Sequence, residues 1–290
     1  MTLTKETSAR EVDLASGHHL RYYEAGDPAA PTVVLLHGSG PGATGWSNFS
    51  GNIGPIAEAG FHVLAPDMPG WGDSSAVATR DMDHDADLVG FLDALGIDKA
   101  ALVGNSMGAH TAVRFTTLHP ERVTHLVTMG ASLGRGPASL FVPGGGPSEG
   151  LKVLVQAYRD PSPENMRALV EIMTYDNARF ATPELAAARS EAALARPDHL
   201  QNYVEGLAHG APIPIKVDRS LLPSITAPTL LIHGRDDRVL HFEVSLNLLA
   251  NIPDSRLVLL NRCGHWAMIE HAEEFNRLVV DFLAHAGDRA

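Results

Sequence analysis

Residues 100–108 read Ala-Ala-Leu-Val-Gly-Asn-Ser-Met-Gly. The first four form a short apolar run suited to a buried strand, and a helical pattern follows from 107 to 118, ending before Pro120. Between them, Gly104-Asn105-Ser106-Met107-Gly108 fits G-x-S-x-G. At a strand-to-helix junction, glycines at both ends permit a tight turn that lifts the serine hydroxyl above the sheet. The five-residue pattern alone is common, because serine and glycine are abundant. Its setting between strand and helix favours a nucleophile elbow at Ser106 over an ordinary turn.

Upstream, Thr32–Leu36 (TVVLL) is an apolar, β-branched run ending at His37-Gly38, and Phe61–Ala65 (FHVLA) is closed by Asp67 and Pro69-Gly70. Residues 19–24 (HLRYYE) suit an antiparallel edge strand. Downstream, Val123–Met129 (VTHLVTM), Pro228–Ile232 (PTLLI) and Arg256–Leu260 (RLVLL) read as strands. Leu88, Phe91, Leu92 and Leu95 recur at helical spacing, as do Phe275, Leu278, Val279, Phe282 and Leu283. Alternating strands and helices predict a mostly parallel sheet covered on both faces, with ligands bound beyond the carboxyl ends of its strands. With the G-x-S-x-G turn at its centre, this pattern resembles the α/β-hydrolase fold, and that resemblance implies eight strands, flanking helices and an inserted helical lid. Its core would comprise residues 1–131 and 225–290. The lid would span 132–224, where a Gly/Pro-rich opening leads into helical patterns separated by prolines.

A serine hydroxyl needs a base, and the base needs an acceptor to orient it. The order serine, acid, histidine in this fold places both downstream. His265 follows the RLVLL strand and is the expected base. Asp236 and Asp237 both follow the PTLLI strand, and the pattern does not separate them. The loop His37-Gly38-Ser39-Gly40-Pro41-Gly42 suits an oxyanion hole built from the backbone N–H groups of Ser39 and Met107. It matches neither G-x-G-x-x-G nor G-x-x-x-x-G-K-[ST], which argues against a nucleotide cofactor. H-E-x-x-H and paired cysteines are also missing, so no metal is expected. Cys263 reads as a packed neighbour of the base.

At 290 residues and 44% hydrophobic content, the chain can bury a core without staples. A single cysteine and a polar N-terminus suggest a reducing, cytoplasmic setting. No apolar run approaches the roughly 18 residues of a membrane span. The net charge of −12 disfavours nucleic acid and anionic membranes as partners, but not a small anionic substrate.

Taken together, these segments resemble the meta-cleavage product hydrolases, carbon–carbon bond hydrolases of bacterial aromatic degradation. The likeness covers nearly the whole chain and is most specific in HGSGPGATGWSNFSGNIGPIAEAGFHVLAPDMPGWGDS at 37–74. GNSMG at 104–108, GRDDRV at 234–239 and CGHWAMIEHAEEFN at 263–276 add to it. The resemblance implies a triad of Ser106, His265 and Asp237. Asp237 is favoured because some relatives carry asparagine where Asp236 stands. It further implies that Asn48, Asn105 and Trp266 line the substrate site and that Arg189 binds the substrate carboxylate. On its residue type alone, Arg189 would read as a solvated arginine. Met173 stands where several members have phenylalanine, a departure in the pocket wall.

The implied substrate is a 2-hydroxy-6-oxo-2,4-dienoate. Cleavage of its C5–C6 bond would give 2-hydroxypenta-2,4-dienoate and a carboxylic acid. The resemblance also implies a homo-oligomer, dimer or tetramer. An esterase or lactonase with the same triad is the competing activity, and a catalytically silent receptor on the same fold is a further alternative.

Overall fold

The computed structural model describes residues 3–131, 140–142, 146–210 and 216–285. Eight strands form one sheet in the order β1-β2-β4-β3-β5-β6-β7-β8. They are β1 (Ala9–Asp13), β2 (His19–Ala25), β3 (Thr32–Leu36), β4 (His62–Pro66), β5 (Ala100–Asn105), β6 (Val123–Met129), β7 (Thr229–Gly234) and β8 (Ser255–Leu260). From β4 to β8 every pairing is parallel; β2 is antiparallel to both its neighbours.

The apolar runs read from the sequence become strands to within two residues at each end. β2 differs from expectation, because it does not form the edge of the sheet. β1 pairs along its outer side, and Leu20, Tyr22 and Tyr23 are buried. β1 itself, with Arg10, Glu11 and Asp13 in five residues, lacks the apolar run that marks the other strands.

Helices His84–Ala94 and Ala272–His285 carry the two apolar faces seen in the sequence and bury Leu88, Phe91, Phe275, Val279 and Phe282. Between β6 and β7 lie the helices Glu149–Arg159, Pro163–Met173, Asn177–Phe180, Pro183–Leu194 and Pro197–Ala208. Three of the prolines in this stretch are helix starters. Pro163, Pro183 and Pro197 occupy first-turn positions, where the missing N–H costs nothing. Ser162 and Thr182 cap two of these helices through their hydroxyls. The Gly/Pro-rich opening at 132–139 and 143–145, like 211–215, falls outside the described residues. Among those that are described, no helix is long and apolar enough to cross a membrane.

Candidate active site

β5 runs to Asn105, and the helix Met107–Leu118 begins one residue after Ser106. Ser106 has φ 52° and ψ −112°, a conformation that costs a non-glycine residue roughly 1–3 kcal/mol. Neighbouring backbone enforces it. A Cβ at Gly108 would lie 2.1 Å from the Leu36 carbonyl oxygen, and one at Gly104 would lie 2.4 Å from the Gly108 oxygen. The Gly108 N–H donates to the His37 carbonyl (3.0 Å) and the Ser106 N–H to the Met129 carbonyl (2.7 Å). The elbow is thereby fixed to β3 and β6.

Ser106 and the His265 ring line one cavity of about 210 Å³ at the carboxyl ends of the strands. His265 Nδ1 lies 2.7 Å from Asp237 Oδ2, leaving Nε2 as the ring nitrogen available to the cavity. Asp237 Oδ1 accepts from the N–H groups of Val239 (2.7 Å) and Leu240 (3.0 Å). Burial alone would raise the Asp237 carboxyl, but the charge of His265 and the hydrogen bonds from His233 and His265 outweigh it. The group is held below the usual carboxylate range. The His265 hydrogen bond goes to Asp237 rather than to Asp236, whose Oδ1 lies 3.4 Å from Arg235. Cys263 is fully buried, and desolvation raises its thiol pKa, so it packs as an inert neighbour.

Ser39 and Met107 line the same cavity, and neither backbone N–H donates to another described residue. Two such amides suit an incoming oxyanion. The loop that carries Ser39 is tightly held. Met68 donates its N–H to His37 Nε2 (2.9 Å), so the His37 proton sits on Nδ1 and is donated to the Gly38 carbonyl (2.8 Å). Burial lowers the His37 pKa to about 4, which keeps this ring neutral. From the inserted helices, the Tyr158 hydroxyl donates to the Ser39 carbonyl (2.5 Å) while accepting from Trp71 Nε1 (2.9 Å).

The remaining expected residues line the same cavity. They are Arg189, Trp266, Asn48, Asn105 and Met173. The Arg189 guanidinium carbon lies 4.3 Å from the Trp266 ring centre. Arg189 is 7% exposed and forms no ion pair with a described acidic residue, and its Nε is unpartnered. A second cavity shares Asn48, Arg189 and Trp266 with the first. Leu151, Leu154, Tyr203, Val239 and Leu240 line only the first. The site thus combines one buried guanidinium with apolar side chains in a single cavity. Asn105, fully buried, donates to the His265 carbonyl (3.2 Å). Among the described residues, no group of three or more His, Cys, Asp or Glu side chains could hold a metal.

Three residues with structural work here escaped sequence reasoning: His233 and Tyr158, already mentioned, and Glu270. Glu270 Oε2 accepts from the Gly264 N–H (2.5 Å), and Oε1 accepts from Tyr175 (2.7 Å) and Asp176 (3.1 Å). It ties the loop bearing His265 to the inserted helices. Its place in CGHWAMIE, five residues after His265, is the one available signal.

A family model described as the alpha/beta hydrolase fold matches residues 31–272. Over 257 residues the chain is 48% identical to a 2-hydroxy-6-oxononadienedioate/2-hydroxy-6-oxononatrienedioate hydrolase of Cupriavidus pinatubonensis, covering 88% of this chain and 87% of the relative. The chain belongs to the meta-cleavage product hydrolases of the α/β-hydrolase fold. Among solved structures, the meta-cleavage product hydrolase of Pseudomonas fluorescens IP01, as a serine-to-alanine variant complexed with acetates, superimposes with a TM-score of 0.84. It is 32% identical, with 96% of this chain and 98% of that one covered. The 2-hydroxy-6-oxo-6-phenylhexa-2,4-dienoate hydrolase of Rhodococcus sp. strain RHA1 gives a TM-score of 0.80 at 27% identity, covering 95% and 99%. The meta-cleavage product hydrolase fold is therefore shared along almost the full length.

Proposed function

We propose that the chain hydrolyses the C5–C6 bond of a 2-hydroxy-6-oxo-2,4-dienoate ring-fission product, with Ser106, His265 and Asp237 as the catalytic triad. The observation that carries this reading is the buried Arg189 in a cavity whose other lining includes Ser106 and His265. A guanidinium without an acidic partner suits the carboxylate of the dienoate, which its planar fork can pair in two contacts. Asn48, Asn105, Trp266 and Met173 then surround the planar dienoate, and the C6 substituent packs on the apolar lining that includes Leu151, Leu154 and Val239. The segment 132–224 acts as the lid over this cavity.

The chemistry follows from these placements. Carbon is a poor leaving group, so the 2-hydroxyl proton is first lost and C5 gains one, giving the 2,6-dioxo form with a CH₂ at C5. His265 moves these protons. The Ser106 oxygen then bonds to C6 as its proton passes to His265, and the amides of Ser39 and Met107 hold the oxyanion. When the C5–C6 bond breaks, its electron pair enters the dienolate and spreads to the C2 oxygen. Reprotonation gives 2-hydroxypenta-2,4-dienoate, and water releases the acid from Ser106. No cofactor is required. The same proposal takes the enzyme to be a cytoplasmic homo-oligomer.

The test compares initial rates on a coloured ring-fission dienoate and on a nitrophenyl ester, for the wild type and Ser106→Ala. The dienoate is expected to be the far better substrate, and the variant to lose turnover by about a thousandfold or more while still binding it. Preference for the ester would replace this reading with an esterase. Near-normal turnover in the variant would remove Ser106 from the mechanism.

A further inference from the structure

Behind Asp237 stands a second imidazole. His233, near the end of β7, is buried and uses both ring nitrogens. Its Nδ1 lies 2.7 Å from the Ser245 hydroxyl; its Nε2 lies 2.7 Å from the Leu240 carbonyl oxygen and 3.1 Å from Asp237 Oδ2. A carbonyl oxygen only accepts, so Nε2 carries the proton and shares it between Leu240 and Asp237. Nδ1 then accepts from Ser245. Oδ2 is also the oxygen that faces His265 Nδ1. One carboxylate oxygen therefore serves two imidazole N–H groups.

We propose that His233 is a positioning residue that tunes the basicity of His265 by competing for Asp237 Oδ2. The proposal rests on the triad reading above. Every N–H donated to a carboxylate oxygen withdraws charge from it and lowers its proton affinity. Charge drawn toward His233 is not available to stabilise the His265 imidazolium. The base thus remains unprotonated, and competent, to a lower pH than it would beside Asp237 alone. With Oδ1 fixed by two backbone amides and Oδ2 by two rings, the carboxylate has no rotational freedom.

Other titratable groups around the pair are His110, which lines the cavity with His265, and His241, whose Nδ1 lies 2.9 Å from the Asp237 carbonyl oxygen. Cys263 is buried with its Sγ 3.6 Å from the Gly264 carbonyl oxygen, and Asp236 turns to Arg235. Arg238 reaches the Glu171 carbonyl and Glu149, away from the two rings. None of these contacts Oδ2, so the competition there belongs to His233.

The experiment measures kcat/KM against pH for the wild type, His233→Phe and His233→Gln, using both a ring-fission dienoate and a nitrophenyl ester. Phenylalanine keeps a ring and deletes both nitrogens; glutamine can restore an N–H near the position of Nε2. The acidic limb is expected to move upward by about half to one pH unit in the phenylalanine variant and to return most of the way in the glutamine variant. Ser245→Ala, which weakens His233 as a donor while leaving the ring in place, is expected to shift the limb the same way by less. It serves where the phenylalanine variant does not fold. A merely structural His233 would lower the plateau and leave the limb in place. An unmoved limb in the folded variants overturns the proposal. A shift seen with the ester, in an enzyme that ignores the dienoate, supports the role of His233 while refuting the substrate assignment.

Discussion

Arg189 lies face-on to Trp266, its guanidinium carbon 4.3 Å from the ring centre, in a site where no described carboxylate balances its charge. Burial lowers its pKa to about 10, which still leaves it charged at neutral pH. The indole face compensates part of the lost hydration, on the order of 1–2 kcal/mol. An unpaired buried cation otherwise costs several kcal/mol, and an arriving carboxylate offsets that cost.

Replacing this cation should therefore separate binding from folding. Arg189→Gln is expected to raise KM for the dienoate about a hundredfold, with a smaller effect on kcat. The ligand-free variant should nevertheless melt at or above the wild-type temperature, because a desolvated charge has been removed. Steady-state kinetics and a thermal melt, read together, check both halves. A variant with unchanged KM would show that the carboxylate binds elsewhere.

The backbone strain at Ser106 makes a second measurable difference. Ser106→Ala and Ser106→Gly both delete the hydroxyl, but only glycine is relaxed at φ 52°. The glycine variant is expected to be the more stable of the two by about 1 kcal/mol in chemical denaturation. Equal stability would mean that the elbow stores no strain.

His37 gives a pH dependence whose sign can be worked out. The folded ring has a pKa of about 4, whereas the unfolded one titrates near 6.5. Between these values the unfolded chain binds a proton that the folded chain does not, so this contribution to stability falls as pH falls. In His37→Gln nothing titrates at this position. The stability advantage of the wild type over the variant should thus shrink by about 2 kcal/mol from pH 7.5 to pH 5. Asp67, raised to about 7 by burial, and Asp85, raised to about 6, act in the opposite sense but are present in both proteins and cancel in the difference. Denaturant unfolding at the two pH values provides the check.

Glu270 binds three backbone N–H groups with two oxygens. A glutamine there must turn its NH₂ toward at least one of those donors. Glu270→Gln is expected to lose about 2 kcal/mol of stability and to lower kcat roughly tenfold as the His265 loop loosens. Unfolding and turnover measured on one preparation would test the coupling; wild-type kcat in a destabilised variant would break it.

What could be read in advance from the sequence was whatever has a local signature. Val33–Leu36 and Ala101–Val103 are continuous apolar runs because both faces of those strands are covered, and they announce themselves. Ser106 is legible because its two glycines and the flanking strand and helix lie within a few residues. β1 is not, since its exposed, charged residues obey edge exposure rather than core burial. β2 was readable as a strand, but its interior place depends on that unread neighbour. Tyr158 illustrates the larger gap: its bond to Ser39 spans 119 positions, and no spacing rule reaches so far. His233 sits only four positions from Asp237, yet an apolar strand offers no reason to single it out.

The His265 N–H donates to the Met173 carbonyl at 2.7 Å, and a side chain at Gly264 would collide with that same oxygen. The His265 imidazole is consequently hung in part from the inserted helices, so the insert cannot be exchanged like a cartridge. A chimera that borrows another relative's inserted helices would have to keep the Met173–Thr174 backbone on its original path, or the His265 ring would lose its aim.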